Sequence, residues 1–156
     1  MTTSKQSHGR LLPRDVTHHY PRIVRGEGVY LYDDTGKRYL DAIAGIAVVN
    51  IGHGRAQVAE ALAAQAQTIS YVHSFIFDNE PANQLAERIG RLTPNGLKHI
   101  YFVSGGSEAT ETALKLARQY HYERGETSRY LIISRWLSYH GGTIGALSMS
   151  GMIGRR

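Results

Sequence analysis

An α/β fold is predicted for this chain: a mostly parallel sheet with helical crossovers, preceded by a smaller segment that carries a hairpin. Three observations predict it. Between residues 99 and 134 an apolar β-prone run, a Gly-rich turn, a long helical pattern and a second β-prone run follow one another, which is the order of a βαβ unit. Upstream, two short β-prone runs flank a glycine-containing turn, the signature of a hairpin. Between these features lie two stretches with apolar residues at helical spacing.

In chain order, residues 1–22 read as a polar arm ending at Tyr20-Pro21; its first 14 residues contain no acidic side chain and no apolar core of a secretory signal. Residues 23–70 form an N-terminal small segment. There Val29-Tyr-Leu-Tyr-Asp33 and Arg38-Tyr-Leu-Asp41 are the hairpin strands, with Gly36 at the turn position that needs a positive φ. Residues 42–54 are Gly-rich and apolar and read as a buried loop. A helix over 55–69 places Val58, Ala61, Leu62, Ala66 and Ile69 on one face.

Residues 71–156 read as the start of a larger domain. After an irregular aromatic stretch at 71–77, a helix over 81–92 has Pro81 in its first turn and Leu85, Ile89 and Leu92 facing inward. Thr93-Pro94-Asn95-Gly96 ends it. Residues 99–103 are expected as a buried strand and Ser104-Gly105-Gly106-Ser107 as a tight turn. A helix over 108–124 follows, with Ala109, Ala113, Leu116, Ala117 and Tyr120 inward, then a strand over 129–134 and a short helix over 143–149.

Composition excludes several function classes. The 156 residues are 42% hydrophobic and 20% charged and include no cysteine, which removes disulfide scaffolds, cysteine-ligated metal centres and thiol nucleophiles. The formal net charge is +5, but basic residues are scattered among acids, so no nucleic-acid-binding stripe forms. No apolar run approaches the roughly 20 residues of a membrane helix. Eight histidines include no His-x-x-x-His pair, and no metal site is expected. Gly106-Ser107-Glu108-Ala109 lacks the second glycine of a serine-hydrolase elbow.

Two loops carry candidate chemistry. At Ser104-Gly105-Gly106-Ser107 a strand is delivered into a helix whose first N–H groups lack intrahelical partners, an arrangement suited to a phosphate. Gly105 and Gly106 let the backbone approach a ligand closely, and Ser107 adds a hydroxyl. The competing reading is plain capping, with Ser107 as N-cap and Glu108 and Glu111 balancing the dipole. The second loop is Ser138-Tyr139-His140-Gly141-Gly142-Thr143. In an open α/β sheet it faces the same crevice as the first, where Tyr139 can stack on a planar ligand. Its competing reading makes Tyr139 a partly buried core aromatic and His140 a satisfied polar residue.

Taken together, Val29-Tyr-Leu-Tyr-Asp-Asp-Thr-Gly-Lys-Arg-Tyr-Leu-Asp41, Asn50-Ile-Gly-His-Gly54, Phe102-Val-Ser-Gly-Gly-Ser-Glu-Ala109, Ala113-Leu-Lys-Leu-Ala-Arg118 and Tyr139-His-Gly141 with Thr143 are similar to class-III aminotransferases. These are the pyridoxal-phosphate enzymes of the ornithine, acetylornithine and 4-aminobutyrate type. The resemblance runs from about residue 16 onward and implies a fold-type-I transferase represented by its N-terminal portion. It implies pyridoxal 5'-phosphate as cofactor, an amine or ω-amino acid as donor, a keto acid as acceptor, and a cytoplasmic homodimer for the full-length enzyme.

By the same resemblance Gly106 and Ser107, with Gly105 beside them, match the turn that holds the cofactor phosphate. Tyr139 matches the aromatic stacked on the pyridine ring, and His140 is its neighbour. Residues 47–50 and 71–77 correspond to substrate-pocket and dimer-facing segments. Gly105 departs from the serine many relatives carry, and Thr110 from a side-chain amide. No catalytic residue is assigned, because the four lysines are Lys5, Lys37, Lys98 and Lys115 and none matches the family's Schiff-base lysine. The expectation is therefore an inactive piece of a transaminase whose apolar strand edges favour aggregation. The alternative is a free-standing phosphate- or nucleotide-binding module without catalysis.

Overall fold

A computed structural model describes residues 10–13, 15–151 and 154. The chain divides into two compact units, Met1–Asp78 and Asn79–Arg156. Residues 1–9 and 14 of the predicted arm, and residues 152, 153, 155 and 156, lie outside the described set.

In the first unit, β1 (Ile23–Glu27), β2 (Tyr30–Asp33) and β3 (Arg38–Leu40) form an antiparallel meander. The predicted hairpin is β2–β3, paired Tyr30 to Leu40, Leu31 to Tyr39 and Tyr32 to Arg38. Gly36 sits at φ +85 as the turn demands. Asp33 organises that turn. One carboxylate oxygen accepts from the Thr35 N–H (3.0 Å), the Thr35 hydroxyl (2.7 Å) and the Lys37 N–H (3.0 Å). The other accepts from the Tyr39 hydroxyl at 2.7 Å. Basic side chains lie over tyrosine rings, Arg25 on Tyr32 at 3.7 Å and Arg38 on Tyr30 at 4.5 Å, covering ring faces that the sheet leaves to solvent.

Strand β1 was not expected from the pattern. It pairs with β2 through a register shift between Ile23 and Arg25, and such an irregularity interrupts the alternation that marks a strand.

The segment over 42–54 is mostly exposed rather than buried. It contains a single turn, α1 (Ala44–Ala47), with positive φ at Ala44 (47), Gly45 (59), Ile46 (67) and Ala47 (59). A left-handed turn costs an L-residue about 1–2 kcal/mol per position, so the surrounding bonds must hold it. Helix α2 (Ala56–Thr68) then follows the predicted span.

In the second unit α3 (Glu80–Leu92) is capped by Asn79, whose side chain accepts from the Ala82 N–H at 3.0 Å, with Pro81 in the first turn. Helix α4 (Gly106–Glu123) and α5 (Ile144–Met149) match the two remaining helical patterns. The runs at 99–103 and 129–134 bracket α4 in the expected βαβ order, but among the described residues they pair with no strand. They are largely exposed, Ile133 to 98%. The faces expected inward on α2, α3 and α4 are likewise open at Leu62, Leu92, Leu116 and Tyr120. Parallel strands occur almost only in sheets whose two faces are covered by helices, and no such layer is formed by the described residues. The buried residues are few. Asp33 is one; Gly141, Ala146, Ser150 and Gly151 cluster where α5 closes against the loop before it.

Candidate functional site

The site forms at the head of α4. Gly105 is the N-cap, in extended backbone without a side-chain cap, and the helical ladder begins with the Ala109 N–H on the Gly105 carbonyl at 3.0 Å. The N–H groups of Gly106, Ser107 and Glu108 precede that bond and have no intrahelical acceptor. Ser107 is thus inside the first turn and is not the N-cap, which removes the plain capping reading of this serine. Its Oγ instead accepts from the Gly142 N–H at 2.9 Å across a 35-residue separation, and the hydroxyl proton remains available to donate outward.

Loop 138–143 is positioned by its own closure. The Ser150 hydroxyl donates to the Ser138 carbonyl at 2.9 Å, and the Gly151 N–H donates to the same carbonyl at 3.2 Å. Gly141 (φ +135) fits tightly against α4: a Cβ there would stand 2.7 Å from Ser107 Oγ and 2.8 Å from Ala146 Cβ. Below it, Glu111 joins α4 to α5. Its Oε1 accepts from the Thr143 hydroxyl at 2.6 Å and the Ala146 N–H at 3.2 Å, and the Thr143 bond first of all draws its carboxyl below the usual range. Glu111 therefore ties the two helices together, where the sequence suggested dipole balance.

Gly106, Ser107, Thr110, Tyr139, His140 and Gly141 line one cleft of about 380 Å³. The structure thus brings four predicted site residues to a single cleft, with Gly105 capping the helix at its edge. Tyr139 is 60% exposed, so it is no core aromatic, and its ring is open to stacking. His140 Nε2 is buried without a hydrogen-bond partner. A buried orphan nitrogen is costly unless something completes it. Backbone donors, a free hydroxyl proton and an open ring suit a flat ligand carrying an anionic group.

Glu111 and the contact role of Gly141 were missed by sequence reasoning. The paired glycines at 141–142 were the available signal, whereas nothing local marks Glu111, because its partners lie more than 30 residues away.

A family model for aminotransferase class-III matches residues 11–154. The chain belongs to the class-III aminotransferases. It is 48% identical over 133 residues to a probable aminotransferase of Mycobacterium tuberculosis, covering 85% of this chain and 28% of that protein. A putrescine–pyruvate aminotransferase of Pseudomonas aeruginosa is 33% identical over 97% of this chain and 36% of its own length. Among solved structures, a thermostable (S)-enantioselective ω-transaminase from Thermomicrobium roseum superposes with a TM-score of 0.88 at 41% identity, over 94% of this chain and 34% of that one. The chain therefore spans about a third of the length of the class-III relatives it matches and carries an N-terminal portion of their α/β fold.

Proposed function

We propose that Gly105, Gly106, Ser107, Tyr139 and His140 hold pyridoxal 5'-phosphate, and that the full-length protein is a cytoplasmic, homodimeric transaminase. The observation that carries this reading is the convergence at the head of α4 of unpartnered helix donors, Ser107, Tyr139 and His140 in one cleft. Membership of the class-III aminotransferases supports the choice of ligand. When bound, the cofactor supplies the electron sink through which an amino group passes from a donor to a keto acid.

The chain's own residues bind and orient. The N–H groups of Gly106 and Ser107 and the Ser107 hydroxyl donate to the phosphate, while Gly105 and Gly106 present no Cβ to crowd it. Tyr139 stacks on the ring, and His140 lines the cleft beside it. A relative that acts on putrescine and pyruvate supports an amine or ω-amino acid donor.

This chain by itself does not transaminate. Lys115 stands nine residues beyond Gly106, about 14 Å along the helix from its head, and Lys98 lies in a groove with Arg91 and Pro94 at the C-terminal end of α3, with the 99–103 run between it and α4. Neither reaches a ligand at the head of α4.

Absorbance titration of the 156-residue chain with pyridoxal phosphate tests the reading. Micromolar-to-millimolar saturable binding is expected, weakened about tenfold by Ser107→Ala through loss of one charge-assisted hydrogen bond. Borohydride treatment is expected to leave no lysine adduct by intact mass. Tighter binding of a nucleotide than of pyridoxal phosphate would identify a nucleotide module instead.

A further inference from the structure

We propose that residues 42–49 form a two-state segment latched in a left-handed turn by the Asp41–His53 pair. The inference is independent of the cofactor reading and rests on the first unit alone. Four consecutive positive φ angles, at Ala44, Gly45, Ile46 and Ala47, include three non-glycine residues, one of them β-branched. Such backbone persists only where its surroundings over-determine it. Here the restraint comes from one carboxylate. Asp41 Oδ1 accepts from the Gly45 N–H at 3.1 Å, inside the turn, and Asp41 Oδ2 meets His53 Nε2 at 2.9 Å.

His53 is in turn fixed by the sheet. It exchanges two backbone hydrogen bonds with Gly28, 3.0 and 2.7 Å long. Its ring packs so closely on Gly26 that a Cβ there would stand 2.7 Å from His53 Cβ. At the other end the Asn50 side chain donates to the Ala47 carbonyl at 3.2 Å. The chain of restraint runs from β1 through His53 and Asp41 into the turn. Among the described residues nothing packs over the turn from outside, since Ile43, Ile46 and Val48 are all exposed. Without the carboxylate the strained turn keeps only its own backbone bonds and the Asn50 contact, neither tied to the sheet, and it relaxes to ordinary backbone, re-aiming those three side chains.

Amide hydrogen exchange on the full chain tests this, read at Ala47, Val48 and Val49, whose N–H groups are bonded within the turn. Asp41→Asn is expected to speed exchange there roughly tenfold, the change for one lost charge-assisted hydrogen bond, with α4 amides unchanged. Ile46→Gly removes strain because glycine adopts positive φ freely. Alone it should exchange no faster than the parent, and in the Asp41→Asn background it should restore exchange to within about twofold of the parent. Should Asp41→Asn unfold the whole unit, His53→Gln carries the test by the same local readout. Unchanged exchange in both latch variants, or faster exchange in Ile46→Gly alone, would overturn the proposal.

Discussion

Gly141 shows how one residue lets two helices close around the cleft at the head of α4. At φ +135 its backbone lies where L-residues are strained, and its missing Cβ leaves room for Ser107 and Ala146. Gly141→Ala is expected to cost about 1–3 kcal/mol in denaturant unfolding of the second unit, combining backbone strain with overpacking. The same variant should lose the Gly142-to-Ser107 hydrogen bond and with it measurable pyridoxal phosphate binding.

Asp33 is a second residue whose contacts set a measurable property. Hydrogen bonds from Thr35 first, then Tyr39, bring its carboxyl from 3.8 down to about 2. The folded state therefore holds the ionised form. The hairpin's support is fully present above pH 4 and is lost as pH falls from 3.8 toward 2. The Tyr39 phenol is raised by the same bond, so the contact also weakens as pH climbs past 10. Circular dichroism or tyrosine NMR of the first unit should show both limits. Asp33→Asn should remove the hairpin's share of the acid transition, leaving the share of Asp41, whose carboxyl is also held below its usual range by His53.

At the scale of elements, α3 is the best-marked helix in the chain. Its Asn79 cap, Pro81 at the first turn, Glu80 near the N-terminus and Arg91 near the C-terminus all agree with the helix dipole. Asn79→Ala is expected to lower the stability of the second unit by about 1 kcal/mol, measured by urea unfolding. The ends of α3 were legible because these signals are local. The runs at 99–103 and 129–134 were equally well marked by composition, yet they form no sheet among the described residues. A strand exists only by pairing with another, and propensity states what a segment suits, not whether a neighbour is there. The left-handed turn at 44–47 was hidden for a related reason. Only Gly45 permits it locally, and Asp41 and His53 impose it on the rest.

At the scale of the whole chain, exposed apolar surface dominates. Ile132 and Ile133 in one extended run, Phe102 in the other, and Leu62, Leu92 and Leu116 on the helices all face solvent. Unpaired apolar strand runs invite edge-to-edge association. The chain is expected to bind an apolar dye strongly and to run as a mixture of oligomers by size exclusion with light scattering. Ile133→Lys, which charges the most exposed of these positions, should shift that distribution toward monomer without altering α4.

The sequence by itself determined which stretches become the longer helices, where the hairpin turns, and which two glycine-bearing loops were candidates for a ligand, because periodicity, caps and glycine positions act over a few residues. The motifs at 102–109 and 139–143 also placed the chain in its family. Only the tertiary structure decided that Ser107 accepts from Gly142 and caps nothing, that Glu111 joins two helices, that His140 keeps an unmatched nitrogen, and that Asp41 and His53 bind a strained turn. The physical reason is that the Ser107, Glu111 and Asp41–His53 contacts join partners more than ten residues apart, and burial of His140 Nε2 likewise depends on how the chain packs around it. No local preference specifies which distant groups are brought together.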